Sequence, residues 1–133
     1  MPDATTTVAA LKDAVRRFAA ERLWEPYHSP KNLVMALAVE VAELTEHFLW
    51  LTAEESRRAV DDPAKREAVA DELADVLNVL LNLSLHTGID LSDALAAKMA
   101  RNVVKYPAEE CVRREREKAA RRGAETKPPG PLP

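Results

Sequence analysis

Two pairs of acidic residues, Glu40-x-x-Glu43 and Glu72-x-x-Asp75, border the most apolar stretches of the chain. Carboxylates are rarely placed beside a core without a partner, because desolvating an unpaired charge is costly. Four of them brought together would repel strongly. A hard divalent cation removes that conflict, since Mg²⁺ takes oxygen ligands and commonly combines a few carboxylates with waters and substrate phosphates. The chemistry open to such a site is the binding of a divalent cation and, through it, of phosphate oxygens. A di-iron centre would need Glu-x-x-His motifs. The second members of the two pairs are Glu43 and Asp75, and His47 and His86 lie at the wrong spacing. The competing reading is an ordinary solvated stripe.

The elements that must position these acids are helices. The 133 residues contain only 3 Gly, 5% aromatics, 47% apolar and 31% charged residues, the balance of one helical domain with its own core. Val8, Leu11, Val15 and Phe18 recur at helical spacing and predict a helix over about 7–23, capped by Thr7 or a neighbour. "WEPYHSP" (24–30) is a break. Ser29-Pro30 reads as N-cap and first helical residue of a helix reaching about Leu51. Thr52 and Glu55 have capping-box spacing for a short helix. Asp62-Pro63 opens a long helix that Gly88 ends. Asp90 or Ser92 caps a last core helix, stopped by Pro107. "AEECVRREREKAARRG" has almost no apolar face, and "AETKPPGPLP" reads as a Pro-rich disordered tail. The expected organisation is a helical domain over 1–107 and a charged, then Pro-rich, tail over 108–133.

Plotted at about 100° per residue, Asn32, Ala36, Glu40, Glu43, His47 and Trp50 share an arc of about 80°. Glu72, Asp75, Asn82 and His86 share a stripe on the long helix. Each stripe borders a wide apolar face. If those faces pack antiparallel, the stripes meet and four carboxylates converge. Trp24, His28 and Trp50 are candidates for a flat apolar surface near the acids that a planar ligand group could use, with Asn32 on the acid stripe. Lys98, Asn102 and Lys105 fall at i, i+4 and i+7 on the last core helix, followed by Tyr106.

The net charge is −3, but residues 1–107 hold 12 Lys/Arg against 17 Asp/Glu. An acidic body argues against duplex nucleic acid as a partner. The lone Cys111 cannot form an internal disulfide. No signal peptide or membrane span is legible, so the expectation is a cytoplasmic protein with no membrane partner.

The E-x-x-E…E-x-x-D signature resembles that of the all-α nucleoside triphosphate pyrophosphatases, the MazG-like superfamily. "FAAERLWEPYHSPKNLVMALAVEVAELTEHFLW", "DELADVLNVLLNLSLHTGIDL" and "KMARNVVKYP" are more specifically similar to its dCTP pyrophosphatase branch. The resemblance covers about residues 15–107. It implies an all-α MazG-like bundle of four to five core helices, assembled as a dimer or tetramer. It implies hydrolysis of a (deoxy)nucleoside triphosphate, dCTP or a modified dCTP foremost, to monophosphate and pyrophosphate, a cleaning of the nucleotide pool. Glu40, Glu43, Glu72 and Asp75 would hold Mg²⁺, with Mn²⁺ as a substitute. Lys98, Asn102 and Lys105 resemble the family's phosphate and sugar contacts, Tyr106 occupies the matching position of that motif among the substrate-binding residues, and Trp50 resembles its stacking residue. The alternatives are a dUTP/dUDP or broad-specificity hydrolase on the same scaffold, and a non-catalytic helical interaction protein.

Overall fold

The computed structural model describes residues 1–125, and these form six α-helices. In chain order they are α1 (Val8–Ala20), α2 (Pro30–Glu46), α3 (Ala53–Arg58), α4 (Pro63–Thr87), α5 (Leu91–Lys105) and α6 (Ala108–Glu125). The fold is all-α, as expected. The Pro-rich residues 126–133 lie outside the described residues.

The helix starts follow local chemistry. Thr7, Ser29, Thr52 and Asp62 each accept a hydrogen bond from a main-chain N–H three residues on. These bonds satisfy N–H groups that a first turn cannot pair internally. Thr52 and Glu55 complete the reciprocal capping box. Pro30 and Pro63 occupy first turns, where the missing N–H costs nothing. Gly88, at φ 69°, ends α4 in the left-handed region.

Two helix ends differ from expectation. α1 stops at Ala20 rather than near residue 23. There the Trp24 N–H donates to the Ala19 carbonyl at 3.0 Å and the Leu23 N–H to the Ala20 carbonyl at 3.1 Å. These are the paired bonds of a Schellman turn, with Leu23 at φ 55° where glycine is usual. α2 stops at Glu46, five residues short of the expected end. The Thr45 hydroxyl donates to the Val41 carbonyl at 2.7 Å, a bond that bends helices, and turns follow through residue 50. The chain must also be extended at Thr52 to start α3. Trp50 therefore leaves the acid stripe.

The chain divides into two compact units, Met1–Leu91 and the residues from Ser92 on. In the first, α4 packs against both α2 and α1. Leu44, Phe48, Val69 and Leu73 line one hollow, and Ala36 and Asn78 another, so rising numbers on α2 meet falling numbers on α4. The packing is antiparallel. Ala19, Leu33, Val69 and Leu81 are the buried apolar residues. In the second unit, α6 carries pairs at helical spacing, Glu110 with Arg114 at 2.7 Å and Arg113 with Glu117 at 2.9 Å.

Leu23 is 79% exposed, so burial does not offset its left-handed backbone. That conformation costs an L-residue roughly 1–2 kcal/mol, which Gly avoids while losing more chain entropy on folding. Leu23→Gly is expected to stabilise the protein by about 1 kcal/mol, raising Tm by roughly 3–6 °C in a melting curve. A fall in Tm would show that the Leu23 side chain is buried in the assembled protein.

Candidate active site

The antiparallel pair α2 and α4 brings the acids together. Each of Glu40, Glu43 and Glu72 offers a carboxylate oxygen, and these lie within 4.8 Å of one another. Asp75, one turn along α4 from Glu72, stands outside that group of three. It is near enough that its charge, with those of Glu43 and Glu72, acts on Glu40. Glu40 holds its proton above the usual carboxylate range, first through burial, then through the Asp75, Glu43 and Glu72 charges. A hydrogen bond to Glu43 adds to the effect.

Glu72 has an oxygen, Oε2, that is buried without a hydrogen-bond partner among the described residues. Its Oε1 lies 3.9 Å from His47 Nε2. Behind His47, Lys65 Nζ stands 3.1 Å from Nδ1. An ammonium can only donate, so Nδ1 accepts and the ring proton sits on Nε2, toward Glu72. One oxygen of Glu72 thus faces a supported imidazole, and the other is orphaned. An orphaned oxygen within a group of three carboxylates, an all-oxygen donor set, fits a hard divalent cation.

Beyond the acids lies a cavity of about 260 Å³. Trp24, Tyr27, His28, Asn32, Asn78 and Asn82 are among its walls. Trp24 meets Phe18 edge to face, with centroids 5.7 Å apart. The Schellman turn after α1 sets where the indole stands. Asn32 is fixed by donating to the Tyr27 carbonyl at 3.0 Å. The His28 ring lies 5.6 Å from that of His86. Burial, and next the His86 charge, lower the pKa of His28, against a smaller upward pull from Glu25. Its Nδ1 is buried and unpartnered among the described residues. Ala36 lies one turn from Glu40, and Asn78 one turn from Asp75, so cavity and acids are neighbours on the same two helices.

Of the residues singled out by sequence, Glu40, Glu43 and Glu72 converge, with Asp75 beside them. Trp24, His28 and Asn32 meet in the cavity. Trp50 does not join them: it lies past the end of α2, 89% exposed. The expected placement on the acid stripe fails because the helix ends at Glu46. Lys98, Asn102, Lys105 and Tyr106 belong to the second unit. There Tyr106 N–H donates to the Asn102 carbonyl at 2.8 Å, and Lys105 Nζ lies 5.2 Å from the Tyr106 ring centroid. Sequence reasoning missed Lys65, Phe18, Tyr27 and Asn78. Lys65 was legible in part, since it sits seven residues before Glu72 on one stripe. Asn78 flanks that stripe and has no signal of its own.

Among the described residues no helix is long and apolar enough to cross a membrane. Over residues 35–119 the chain matches the model of the MazG-like family. The dCTP pyrophosphatase 1 of Homo sapiens is 45% identical over 91 residues, which cover 68% of this chain and 54% of that protein. The dCTP pyrophosphatase 1 of Bos taurus is 43% identical over 90 residues, 68% of this chain and 53% of that one. The chain thus spans about half the length of the curated relatives it matches. A solved pyrophosphatase from Archaeoglobus fulgidus superposes with a TM-score of 0.69 at 39% identity, covering 73% of this chain and 89% of that one. The antiparallel acid-bearing helices, the matching family model and the shared fold together make this chain a member of the MazG-like family.

Proposed function

We propose that the chain hydrolyses a (deoxy)nucleoside triphosphate, dCTP or a modified dCTP foremost, to the monophosphate and pyrophosphate. The observation that carries this is the convergence of Glu40, Glu43 and Glu72 one turn from an aromatic-walled cavity. A polyanionic triphosphate can bind beside carboxylates only through cations. Glu40, Glu43, Glu72 and Asp75 would hold Mg²⁺, with Mn²⁺ as a substitute. When bound, the cation neutralises phosphate charge and lowers the pKa of an attacking water. The chain's own part is to hold the acids in place through the α2–α4 packing and through the Lys65–His47 support behind Glu72. Carboxylate oxygens not spent on the cation are the proton acceptors at hand for that water. Trp24 offers its face to the base. Neutral His28 adds no charge to the cavity. The relatives named dCTP pyrophosphatase 1 support the choice of nucleotide.

We assign Lys98, Asn102, Lys105 and Tyr106 to the phosphates and sugar on the likeness of their spacing. Self-association completes the proposal. Val34, Met35 and Val39 of α2 and Leu73 and Leu77 of α4 are exposed in the single chain. Apolar surface on that scale marks an interaction face. Trp50, exposed beyond α2, is then a stacking residue offered to a neighbouring copy. Nucleoside triphosphates are a cytoplasmic pool, and we place the enzyme there.

The decisive assay is pyrophosphate release from a panel of nucleoside triphosphates with Mg²⁺. Glu43→Gln keeps the size of the side chain but removes a charge, and is expected to lower turnover about a hundredfold or more. Near-normal turnover would sink the metal assignment. Analytical ultracentrifugation of the full chain is expected to give a dimer or a tetramer, and a monomer at micromolar concentration would remove the role given to Trp50.

Stability offers an independent check on the site. Glu40 has a folded-state pKa above its unfolded value, so the folded protein binds more protons. Metal-free stability should therefore fall as pH rises from about 4 through the raised folded value. Glu40→Gln removes one repelling charge and one ligand together. At neutral pH it is expected to melt higher than wild type in EDTA yet gain less from Mg²⁺. Wild type should gain about 2.7 kcal/mol at a hundred times the dissociation constant. Equal Mg²⁺ shifts in the two proteins would mean that the acids are a solvated stripe.

A further inference from the structure

Asn82 is a polar residue only 5% exposed on the cavity side of α4. Its Nδ2 donates to the Asn78 main-chain carbonyl at 2.9 Å and to Asn78 Oδ1 at 3.1 Å. A main-chain carbonyl can only accept, so the first bond fixes which end of the Asn82 amide is nitrogen. The second bond then fixes the Asn78 amide, with its oxygen toward Asn82. Each amide keeps one group uncommitted by these bonds: the acceptor Oδ1 of Asn82 and the donor Nδ2 of Asn78. Both residues line the cavity. At 1.5 Å per residue, Asn78 and Asn82 lie about 4.5 and 10.5 Å further along α4 than Asp75. Asn78, which carries the donor, is nearer the acids along α4, and Asn82, which carries the acceptor, lies one turn further on.

Resting on the function proposed above, with phosphates at the acids and base in the cavity, the geometry points to Asn78 and Asn82 as the residues that select a 4-aminopyrimidine over a 4-oxopyrimidine. A pyrimidine entering with its sugar toward the acids presents N3 before the 4-substituent. In cytosine, N3 accepts from Asn78 Nδ2 and the 4-amino group donates to Asn82 Oδ1. Uracil and thymine reverse both partners. Their N3–H faces a donor, and their 4-oxo oxygen faces Oδ1. A site whose buried polar groups are left unpaired by the wrong ligand discriminates far more strongly than an apolar slot does. The main-chain bond within α4 holds Asn82 in the selective orientation before any ligand arrives, so neither amide can flip to suit the other base.

The test compares kcat/KM for dCTP and dUTP in the full chain with Mg²⁺, in wild type, Asn82→Ala and Asn78→Ala. Wild type is expected to favour dCTP by about a hundredfold. In Asn82→Ala the ratio is expected to fall to within about threefold, falling for dCTP and rising for dUTP. Asn78→Ala leaves the Asn82 bond to the main chain in place and so keeps its fold, and it should narrow the ratio in the same direction. It decides the matter if Asn82→Ala does not fold. A wild type that hydrolyses nucleoside triphosphates without regard to the 4-substituent, or a folded Asn78→Ala with the wild-type ratio, overturns the inference and leaves the hydrolase standing. A wild type that hydrolyses none overturns the hydrolase instead. Calorimetric binding of dCMP against dUMP then decides the inference: a preference for dCMP that Asn78→Ala abolishes upholds it, and equal binding overturns it.

Discussion

Mutual repulsion among Glu40, Glu43 and Glu72 is the constraint around which the first unit is built, because their oxygens lie within 4.8 Å of one another. Two unit charges at that spacing repel by about 3 kcal/mol at the effective dielectric of a protein, and by less where solvent reaches Glu43. Net stabilities of domains are about 5–15 kcal/mol, so such a cluster is a sizeable cost. The apolar faces of α2 and α4 hold the acids together against it. The effect on the chain itself is a Glu40 pKa raised above the ordinary carboxylate value, by burial first and then by the neighbouring acidic charges. A divalent cation is the stronger remedy, and the orphaned Glu72 oxygen is a position such a cation would satisfy.

The same helix pair also builds the cavity. Glu40 and Ala36 are one turn apart on α2, as are Asp75 and Asn78 on α4, so acids and cavity share a rigid frame. Sites carried on helices hold their geometry more closely than sites on loops. The one wall that comes from a connection, Trp24, is stiffened differently. Two main-chain bonds close the Schellman turn after α1, and Leu23 adopts a left-handed backbone within it. Backbone strain of this kind persists where surrounding structure over-determines it, often beside a ligand site. Here it sets the direction in which the indole leaves α1.

Polar support inside the frame is layered. Lys65 fixes the tautomer of His47, and His47 turns its Nε2 to Glu72. Asn82 is fixed by its own helix through the Asn78 carbonyl. In both cases a group that can only donate or only accept removes the freedom of its neighbour. Orientation is thereby settled before any ligand binds, and groups fixed in advance cost less entropy on binding.

Helix starts were legible in the sequence because caps are local: a side chain at one position bonds an N–H three residues later. Thr7, Ser29, Thr52 and Asp62 all do so, and Gly88 ends α4 where expected. The acid stripes were legible too, since helical periodicity alone puts Glu40 with Glu43 and Glu72 with Asp75 on one face. Helix ends were less so, because they depend on competing bonds. Thr45 and the extended backbone at Thr52 ended α2 early and moved Trp50 off the stripe. What only the tertiary structure decided is which residues from different helices meet. Lys65 behind His47, and Trp24 with Asn78 and Asn82 around one cavity, are far apart along the chain. Periodicity gives each helix a face, but the rotation and offset at which two faces pack are set by side-chain interlocking across both, and a pattern along one strand of sequence does not contain that.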